Sequence, residues 1–235
     1  MVITHHTIPA RRGALRCVQL TDLHLEEPGG LRFLAHVGRA VARQAPDVLV
    51  CTGDLFRKEP FGPARAQLAA CFAAMPARLG KFAVAGNHDK KVGLTETARF
   101  WRDAGFTFLH NDVVQLAGAA VGGLDDRLIG RPDGAAMAAL KAARGVRIAL
   151  VHEPLTVDLL PSACADLVLA GHTHGGQLHV PVLEHLWLPP LTGRFVHGMY
   201  LTRGMPLYVS AGLGESGPAL RFARPRELAV FDFME

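Results

Sequence analysis

Short apolar runs that end abruptly in polar residues recur along the chain. Each run is four to six residues long, is rich in Val, Leu and Ile, and shows little alternation with polar residues. This pattern is typical of strands that are buried on both faces of a sheet. The runs that lead directly into a polar cluster are residues 15–20, 47–51, 82–85, 146–151 and 167–170.

Helical patterns lie between these runs. Leu34, Val37 and Val41 fall on one face of segment 31–45, and segment 63–75 is rich in Ala and begins with Pro, which suits the first position of a helix. Further helices are predicted at residues 95–104, at residues 134–144 and, as a short helix, at residues 156–162. The alternation of strands and helices predicts an α/β layered fold.

The pattern changes after Gly171, where the helical signal stops. Residues 207–211 and 228–233 have the composition of late strands, and Gly- and Pro-rich turns lie between them. We therefore expect the second half of the chain to form a sheet that other strands partly cover.

Composition sets broad limits on the class of protein. The chain has 235 residues, of which 49% are hydrophobic and 20% are charged, so it can bury a full core and is neither a disordered tail nor a disulfide-rich miniprotein. One domain over residues 1–235 is expected at this length. The net charge is 25 − 21 = +4, and the basic residues are scattered, which does not indicate a dedicated nucleic-acid surface.

The cysteines and the termini indicate a compartment. Cys17, Cys51 and Cys164 sit beside apolar residues and no C-x-x-C pair occurs, which favours buried free thiols in a reducing compartment. No apolar segment follows Arg11-Arg12 as in a signal peptide, and no apolar run reaches 18 residues. A cytoplasmic location without a membrane span is therefore the expectation.

The polar clusters carry the chemistry. In open α/β sheets the loops after the strand ends form the binding crevice, so these side chains are expected to converge although they are far apart in sequence. Their mixture of carboxylate, amide and imidazole groups suits Mn, Fe, Zn or Co, and seven ligands suit two ions that share a carboxylate. The candidate ligands are Asp22, His24, Asp54, Asn87, His152, His172 and His174.

These clusters resemble the motifs of the calcineurin-like metallophosphoesterases, and they occur in the order typical of that family. The extended last motif is similar to the bacterial branch that contains the YkuE and YaeI phosphodiesterases. The resemblance implies a four-layer fold, in which two mixed sheets form a β-sandwich flanked by helices. The motifs are Asp22-x-His24, Gly53-Asp54, Gly86-Asn87-His88-Asp89, His152 and Gly171-His172-Thr173-His174-Gly175-Gly176-Gln177.

The resemblance also implies a role for each residue. Asp54 would bridge two divalent ions, with Mn as the expected metal and Fe, Zn or Co as alternatives, and the bridging hydroxide would be the nucleophile. His88 would protonate the leaving group, and Asp89 would orient His88 through a hydrogen bond. The remaining ligands divide into Asp22, His24 and His174 for the first ion and Asn87, His152 and His172 for the second.

The expected activity is hydrolysis of a phosphoester, most simply a phosphodiester or pyrophosphate-type bond in a small phosphorylated substrate. A lipid-linked substrate, as in a UDP-diacylglucosamine-type hydrolase, is an alternative, because the apolar segment 180–199 could contact an acyl chain or a membrane surface. An inactive binding scaffold is the alternative from a different class. No obligate protein partner is indicated.

Some features of the sequence lie outside these motifs. The branch usually has x-Pro-Asp after the fourth-motif histidine, whereas this chain has Glu153-Pro154-Leu155. Residues 212–217 match G-x-G-x-x-G, but Pro218 follows and no helix is predicted there, so a turn-rich loop is expected instead of a dinucleotide site. The other histidines are predicted to be structural or exposed, with His197 also a candidate for a position near the substrate; they are His5, His6, His36, His110, His179, His185 and His197.

Overall fold

The computed structural model describes residues 1–10, 13–25, 29–56, 63–176, 188–215, 221 and 224–234. Within these residues the chain forms two six-stranded mixed sheets. The strands are β1 (Val2–Pro9), β2 (Leu15–Leu20), β3 (Val48–Cys51), β4 (Gly80–Ala83), β5 (Thr107–Phe108), β6 (Asp112–Gln115), β7 (Ala119–Gly123), β8 (Val146–Leu150), β9 (Leu167–Ala170), β10 (Gly198–Thr202), β11 (Met205–Val209) and β12 (Glu227–Met234). The first sheet has the order β1-β12-β2-β3-β4-β5, and the second has the order β10-β11-β9-β8-β7-β6.

Helices cover the outer faces of both sheets. They are α1 (Gly30–Gln44), α2 (Pro63–Ala73), α3 (Asn87–Val92), α4 (Leu94–Asp103) and α5 (Ala138–Ala142), with 3-10 helices at Gly134–Met137 and Pro154–Leu159. As predicted, α1 buries Leu34, Val37 and Val41. None of the helices in the described ranges has the length and apolar character needed to cross a membrane.

Strands that are buried on both faces explain the four layers. In β3, Val48 and Val50 pack against the second sheet, whereas Leu49 and Cys51 point the other way and pack beneath the helices. In the second sheet Ile148 likewise faces the first sheet, and its neighbours face the outer helical layer. This alternation places one core between the sheets and one core under each helical layer, which confirms the predicted sandwich flanked by helices.

The elements agree with the sequence pattern where apolar runs are strong and differ where they are weak. All five polar-ended runs are strands, and the late strands are β11 and β12. Segment 134–144 is divided between a 3-10 turn and α5, and the short helix near 156–162 is the 3-10 helix Pro154–Leu159. The sequence analysis did not predict β1, β5, β6, β7, β10 or α3, because these elements are short, half-exposed or rich in Ala and Gly.

Parallel pairing brings the strand ends together. In the first sheet β2, β3 and β4 run parallel to one another, and in the second β7, β8, β9 and β11 do so. The carboxyl ends of each parallel set lie at one edge of its sheet, where the loops that follow can meet.

The cysteines are as predicted, since Cys17, Cys51 and Cys164 are buried free thiols.

A buried carboxylate joins β1 and β12 of the first sheet to β11 of the second sheet. Glu227 begins β12, and one of its oxygens accepts hydrogen bonds from Thr4 Oγ1 at 2.8 Å and from the Tyr208 hydroxyl at 2.5 Å. The other oxygen accepts from Ser210 Oγ at 3.1 Å and from the Ala211 N–H at 2.8 Å. Burial alone would raise the pKa of Glu227, but hydrogen bonds from His197, Tyr208, the Ala211 N–H and Thr4 lower it to about 2.

We predict that Glu227→Gln destabilises the fold in a pH-dependent way. Above pH 4.5 the native carboxylate contributes its full stabilisation, which is then lost as the pH falls from 4.5 towards about 2, because the unfolded chain takes up the proton first. The amide presents N–H donors where acceptors are needed, so at pH 7 the loss is roughly 2–3 kcal/mol. Urea unfolding with EDTA at pH 7 and pH 3 measures it.

Glu96→Gln is the matched control, because its carboxylate is exposed beside Arg65 and should matter little at either pH. A difference in unfolding free energy between wild type and Glu227→Gln that is the same at pH 3 as at pH 7 would contradict this assignment.

Candidate metal centre

Left-handed backbone conformations are concentrated at the predicted ligands. Five of the seven have positive φ angles: 49° at Asp22, 43° at His24, 53° at Asp54, 73° at His172 and 51° at His174. Each such residue costs about 1–3 kcal/mol unless its surroundings enforce the conformation, so strain of this kind marks functional sites. These five make up half of the ten non-glycine residues with positive φ in the described chain.

Hydrogen bonds between the motif loops enforce these conformations. The Asp22 N–H donates to Gly53 O at 3.0 Å, and the His24 N–H donates to Asp54 O at 3.1 Å. The Asp22 carboxylate accepts from the His172 N–H at 2.9 Å, which ties the first motif to the last across the two sheets.

A close backbone approach explains one of the motif glycines. Gly53 has φ 97°, and a methyl group added there would lie 2.5 Å from Gly86 N and 2.7 Å from His152 Nδ1. Only glycine gives both the conformation and the space, so the glycine before Asp54 lets three motifs meet.

The first cluster of donor atoms contains two carboxylates and two imidazoles, all buried. His24 Nε2 lies 3.1 Å from His174 Nε2. Asp54 Oδ2 lies 3.5 Å from His24 Nε2, and Asp22 Oδ1 lies 3.7 Å from His174 Nε2. These atoms therefore converge on one small volume.

The second cluster contains two imidazoles whose tautomers the structure fixes. His152 Nδ1 lies 2.7 Å from Thr52 O, and His172 Nε2 lies 2.7 Å from Pro190 O. A carbonyl oxygen can only accept, so in each ring the nitrogen beside the carbonyl carries the proton. In the neutral rings, His152 Nε2 and His172 Nδ1 are therefore unprotonated.

Those unprotonated nitrogens face each other at 3.2 Å. Around the same point, His152 Nε2 lies 3.3 Å from Asn87 Oδ1 and 3.4 Å from Asp54 Oδ1. A single proton on His152 could serve only one of these three acceptors, whereas a cation between them would satisfy all of them. The second cluster thus has the chemistry of a cation site.

Protonation equilibria favour the metal-binding form at several of the candidate ligands, whereas at His152 the Asp54 carboxylate outweighs burial and raises the pKa of the ring. Burial lowers the pKa of His24 to about 4, and burial together with the Arg221 charge lowers the pKa of His174 to about 3. Burial would raise the pKa of Asp54, but the neighbouring histidines outweigh it and hold that pKa below its usual range. Ionised carboxylate and neutral imidazole are the states that bind metal ions.

Asp54 belongs to both clusters. Its Oδ2 faces the first cluster and its Oδ1 faces the second. The donor set of carboxylate, amide and imidazole, without thiolate, fits a divalent ion of the Mn, Fe, Co or Zn type. Groups that could hold an ion include Asp22 with His24 and His174, and Asp22 with Asp54 and His152.

His88 lies at the rim of this centre. Its side chain is half-buried, and its ring stands edge-on to the His24 ring with centroids 4.9 Å apart. Its N–H donates to Asp54 Oδ1 at 2.9 Å, which fixes the backbone, and its side chain joins His24 and Asp54 in a further group that could hold an ion.

Asp89 does not have the predicted contact. The expected hydrogen bond to His88 is absent from the described contacts, because adjacent residues on a helix do not face each other. Instead, the buried Asp89 carboxylate accepts from the Leu55 and Gly86 N–H groups, each at 3.0 Å. It therefore caps α3 and ties this helix to the loop after β3.

Sequence analysis missed three acidic residues beside the centre. Asp125 and Asp126 follow β7, and Glu153 follows His152; all three are buried. Glu153 Oε2 accepts from the Arg127 N–H at 3.0 Å and from Thr156 Oγ1 at 3.2 Å, so this carboxylate supports the surrounding loops. The same strand-then-polar pattern precedes Asp125, but β7 consists only of Ala, Val and Gly, which hides it.

Other candidates resolve more simply. His197 Nε2 lies 3.3 Å from Glu227 Oε2 and so belongs to the Glu227 network. The Leu213 N–H donates to Thr21 O at 3.0 Å, which makes the start of the G-x-G-x-x-G segment a clamp on the first motif. Residues 216–217 of that segment, Gln177 of the last motif and residues 180–187 of the apolar segment lie outside the described residues.

Several metallophosphoesterases are similar to this chain over most of its length. YkuE of Bacillus subtilis, named a metallophosphoesterase, is 30% identical over 97% of this chain and 84% of its own length. The metallophosphoesterase Cj0846 of Campylobacter jejuni is 32% identical, but this chain covers only 60% of it. The phosphodiesterase YaeI of Escherichia coli is 29% identical over 83% of this chain and 73% of its own length.

Solved structures share the fold at low sequence identity. A 5'-nucleotidase precursor from Thermus thermophilus superposes with a TM-score of 0.53 at 15% identity, covering 94% of this chain and 54% of that one. GAP50, described as the anchor in the inner membrane complex of Plasmodium, superposes with a TM-score of 0.58 at 14% identity, covering 93% of this chain and 81% of that one.

The family model for calcineurin-like phosphoesterases matches residues 15–176, a range that includes all seven predicted ligands. The chain therefore belongs to the calcineurin-like phosphoesterases, a family of hydrolases that act on phosphoric esters.

Proposed function

We propose that the protein hydrolyses a phosphodiester or pyrophosphate-type bond of a small substrate and that its seven ligands hold two divalent cations, with Mn as the expected metal. The observation that carries this proposal is the sharing of Asp54 between two clusters of donor atoms, one facing each carboxylate oxygen. A single ion would need only one of these clusters. The relative YaeI is named a phosphodiesterase, and we extend that reaction class to this chain.

The residues of the centre have different roles in the proposed reaction. Divalent cations held there supply Lewis acidity to a phosphoryl group and lower the pKa of a water molecule. Asp54 fixes the spacing of the two clusters, because one rigid carboxylate contributes to both. The carbonyls of Thr52 and Pro190 keep His152 and His172 in the tautomers that present an unprotonated nitrogen.

His88 is the proposed general acid. Breaking the P–O bond leaves negative charge on the departing oxygen, and a half-buried imidazole at the rim can donate a proton to it. Its edge-on contact with His24 holds the ring beside the first cluster.

The lipid-linked alternative is favoured by one observation. Leu128 and Ile129 are 38% and 50% exposed at the tip of the loop after β7. Arg127 and Arg131 flank them, and neither forms an ion pair among the described residues. Because the Glu153 carboxylate accepts from the Arg127 and Leu128 N–H groups, this tip lies next to the centre and could contact the acyl and phosphate parts of a lipid.

Removal of the shared carboxylate tests the metal centre. Wild-type protein should bind two Mn per chain and hydrolyse bis-p-nitrophenyl phosphate. Asp54→Asn should lose at least one Mn and lower kcat by more than about 100-fold, since even residues that only support a ligand cost 10–100-fold. Elemental analysis and a colorimetric assay measure both.

Asp232→Asn serves as the control, because Asp232 pairs with Arg16 away from the ligands. An inactive scaffold predicts no turnover by the wild type. Full metal content and full rate in Asp54→Asn would exclude the shared role of Asp54.

The general acid is tested by the leaving group. His88→Ala should lower kcat by roughly 10²–10⁴ for an alkyl phosphodiester, whose alkoxide needs a proton, and far less for a p-nitrophenyl ester, whose leaving group does not. Mn content should stay at the wild-type value. Equal losses for both substrates would show that His88 does not act as an acid.

The exposed tip is tested with a substrate presented in vesicles. Replacing Leu128 and Ile129 together with Ser should raise KM for a lipid-linked pyrophosphate in vesicles by about tenfold, because two buried aliphatic side chains are lost from the contact. KM for bis-p-nitrophenyl phosphate should not change.

Leu201→Ser is the matched control, since Leu201 is 77% exposed on β10 at the end opposite the ligands. If this variant raises KM as much as the tip variant does, or if neither does, the lipid-linked alternative is wrong.

A further inference from the structure

A buried ion pair links the two sheets beside the centre. Lys90 Nζ lies 2.7 Å from Asp125 Oδ1 and 2.9 Å from Asp125 Oδ2. The side chains are 10% and 2% exposed. Lys90 lies on α3, which follows the first sheet's β4, whereas Asp125 follows β7 of the second sheet. Neither residue belongs to the metal ligands.

The helix that carries Lys90 cannot hold its own position. α3 has six residues, and its N-cap is Gly86, which has no side chain to cap it. Helices this short are not stable alone, so tertiary contacts must fix the direction in which Asn87 and His88 point. Asp89 fixes the start of the helix to the first sheet. Lys90, the next residue of the helix, fixes it to the second sheet through Asp125.

Asp125 is a rigid anchor for this contact. Its Oδ1 accepts from the Asp126 N–H at 2.9 Å, and its Oδ2 accepts from the Arg131 N–H at 2.8 Å. Its own N–H donates to Asn111 Oδ1 at 3.0 Å, and His110 Nδ1 lies 3.3 Å from Oδ1. The lysine therefore binds a carboxylate that the loop has already oriented.

The second ligand cluster depends on the same junction. Asn87 comes from α3 on the first sheet, whereas His152 and His172 come from the second sheet. Asn87 Oδ1 lies 3.3 Å from His152 Nε2, so a shift of α3 relative to the second sheet would separate the donor atoms of this cluster. We propose that Lys90 and Asp125 are positioning residues that hold Asn87 and His88 in register with the second sheet, an inference that rests on the proposed function of the centre.

The test compares two lysines on one helix. Lys90→Met keeps the aliphatic stem and removes the charge, and Lys91→Met is the matched control, because Lys91 is exposed and forms no ion pair in the described chain. Mn affinity is measured by calorimetry on protein from which a chelator has removed metal ions. Values of kcat and KM are measured with bis-p-nitrophenyl phosphate, and the mobility of α3 is measured by hydrogen exchange of residues 86–93.

In Lys90→Met we expect Mn affinity at one site and kcat each to fall about 10–100-fold, KM to stay within about twofold, and α3 amides to exchange about tenfold faster. Lys91→Met should match wild type. Lys90→Met combined with Asp125→Asn should be no worse than the more defective single variant, because both remove one interaction. Lys90→Arg should restore most of the affinity.

The inference is wrong if Lys90→Met has the same Mn affinity, kcat and hydrogen exchange as Lys91→Met. It is also wrong if the losses in Mn affinity and kcat of the two single variants add in the double variant. If Lys90→Met does not fold, a folded Lys90→Arg that lacks Mn affinity overturns it equally. If the wild-type protein neither binds Mn nor hydrolyses the substrate, the proposed function is wrong, but the positioning role is still tested by hydrogen exchange. If the α3 amides of Lys90→Met exchange at the wild-type rate, the positioning role is wrong and the proposed function is unaffected.

Discussion

Electron-pair donors that face one another in a buried space are the constraint on which the rest of this structure depends. His152 Nε2 and His172 Nδ1 lie 3.2 Å apart, and backbone carbonyls hold the proton of each ring on the far nitrogen. Such an arrangement is costly without positive charge between the donors, since buried acceptors need partners. These two rings therefore favour positive charge between them, which a divalent cation bound there would supply.

The fold provides the means to meet that constraint. Parallel strands from two sheets deliver their following loops to one end of the sandwich, where His172 of the last motif bonds Asp22 of the first. The ligand residues accept left-handed backbone angles there, and the three cores of the four-layer fold hold them in place. Stability gained by burial elsewhere thus offsets strain at the site.

Sequence alone indicates the candidate ligands because each comes after a strongly apolar strand, and such strands can be recognised one by one. It did not reach Asp125, because β7 carries no large side chains except Val121 and looks like a turn. The family resemblance also implies that Asp89 orients His88, whereas the helix points the two side chains apart and the Asp89 carboxylate binds the backbone at the start of α3. Contacts between the sheets, such as Lys90 with Asp125, join residues 35 positions apart and become visible only in three dimensions.

The most direct test is anomalous diffraction at the Mn absorption edge from crystals grown with manganese. The account predicts two anomalous peaks, one beside each oxygen of Asp54, with the first contacted by His24 and His174 and the second by Asn87, His152 and His172. A single peak away from Asp54, or no peak among these residues at saturating manganese, would contradict it.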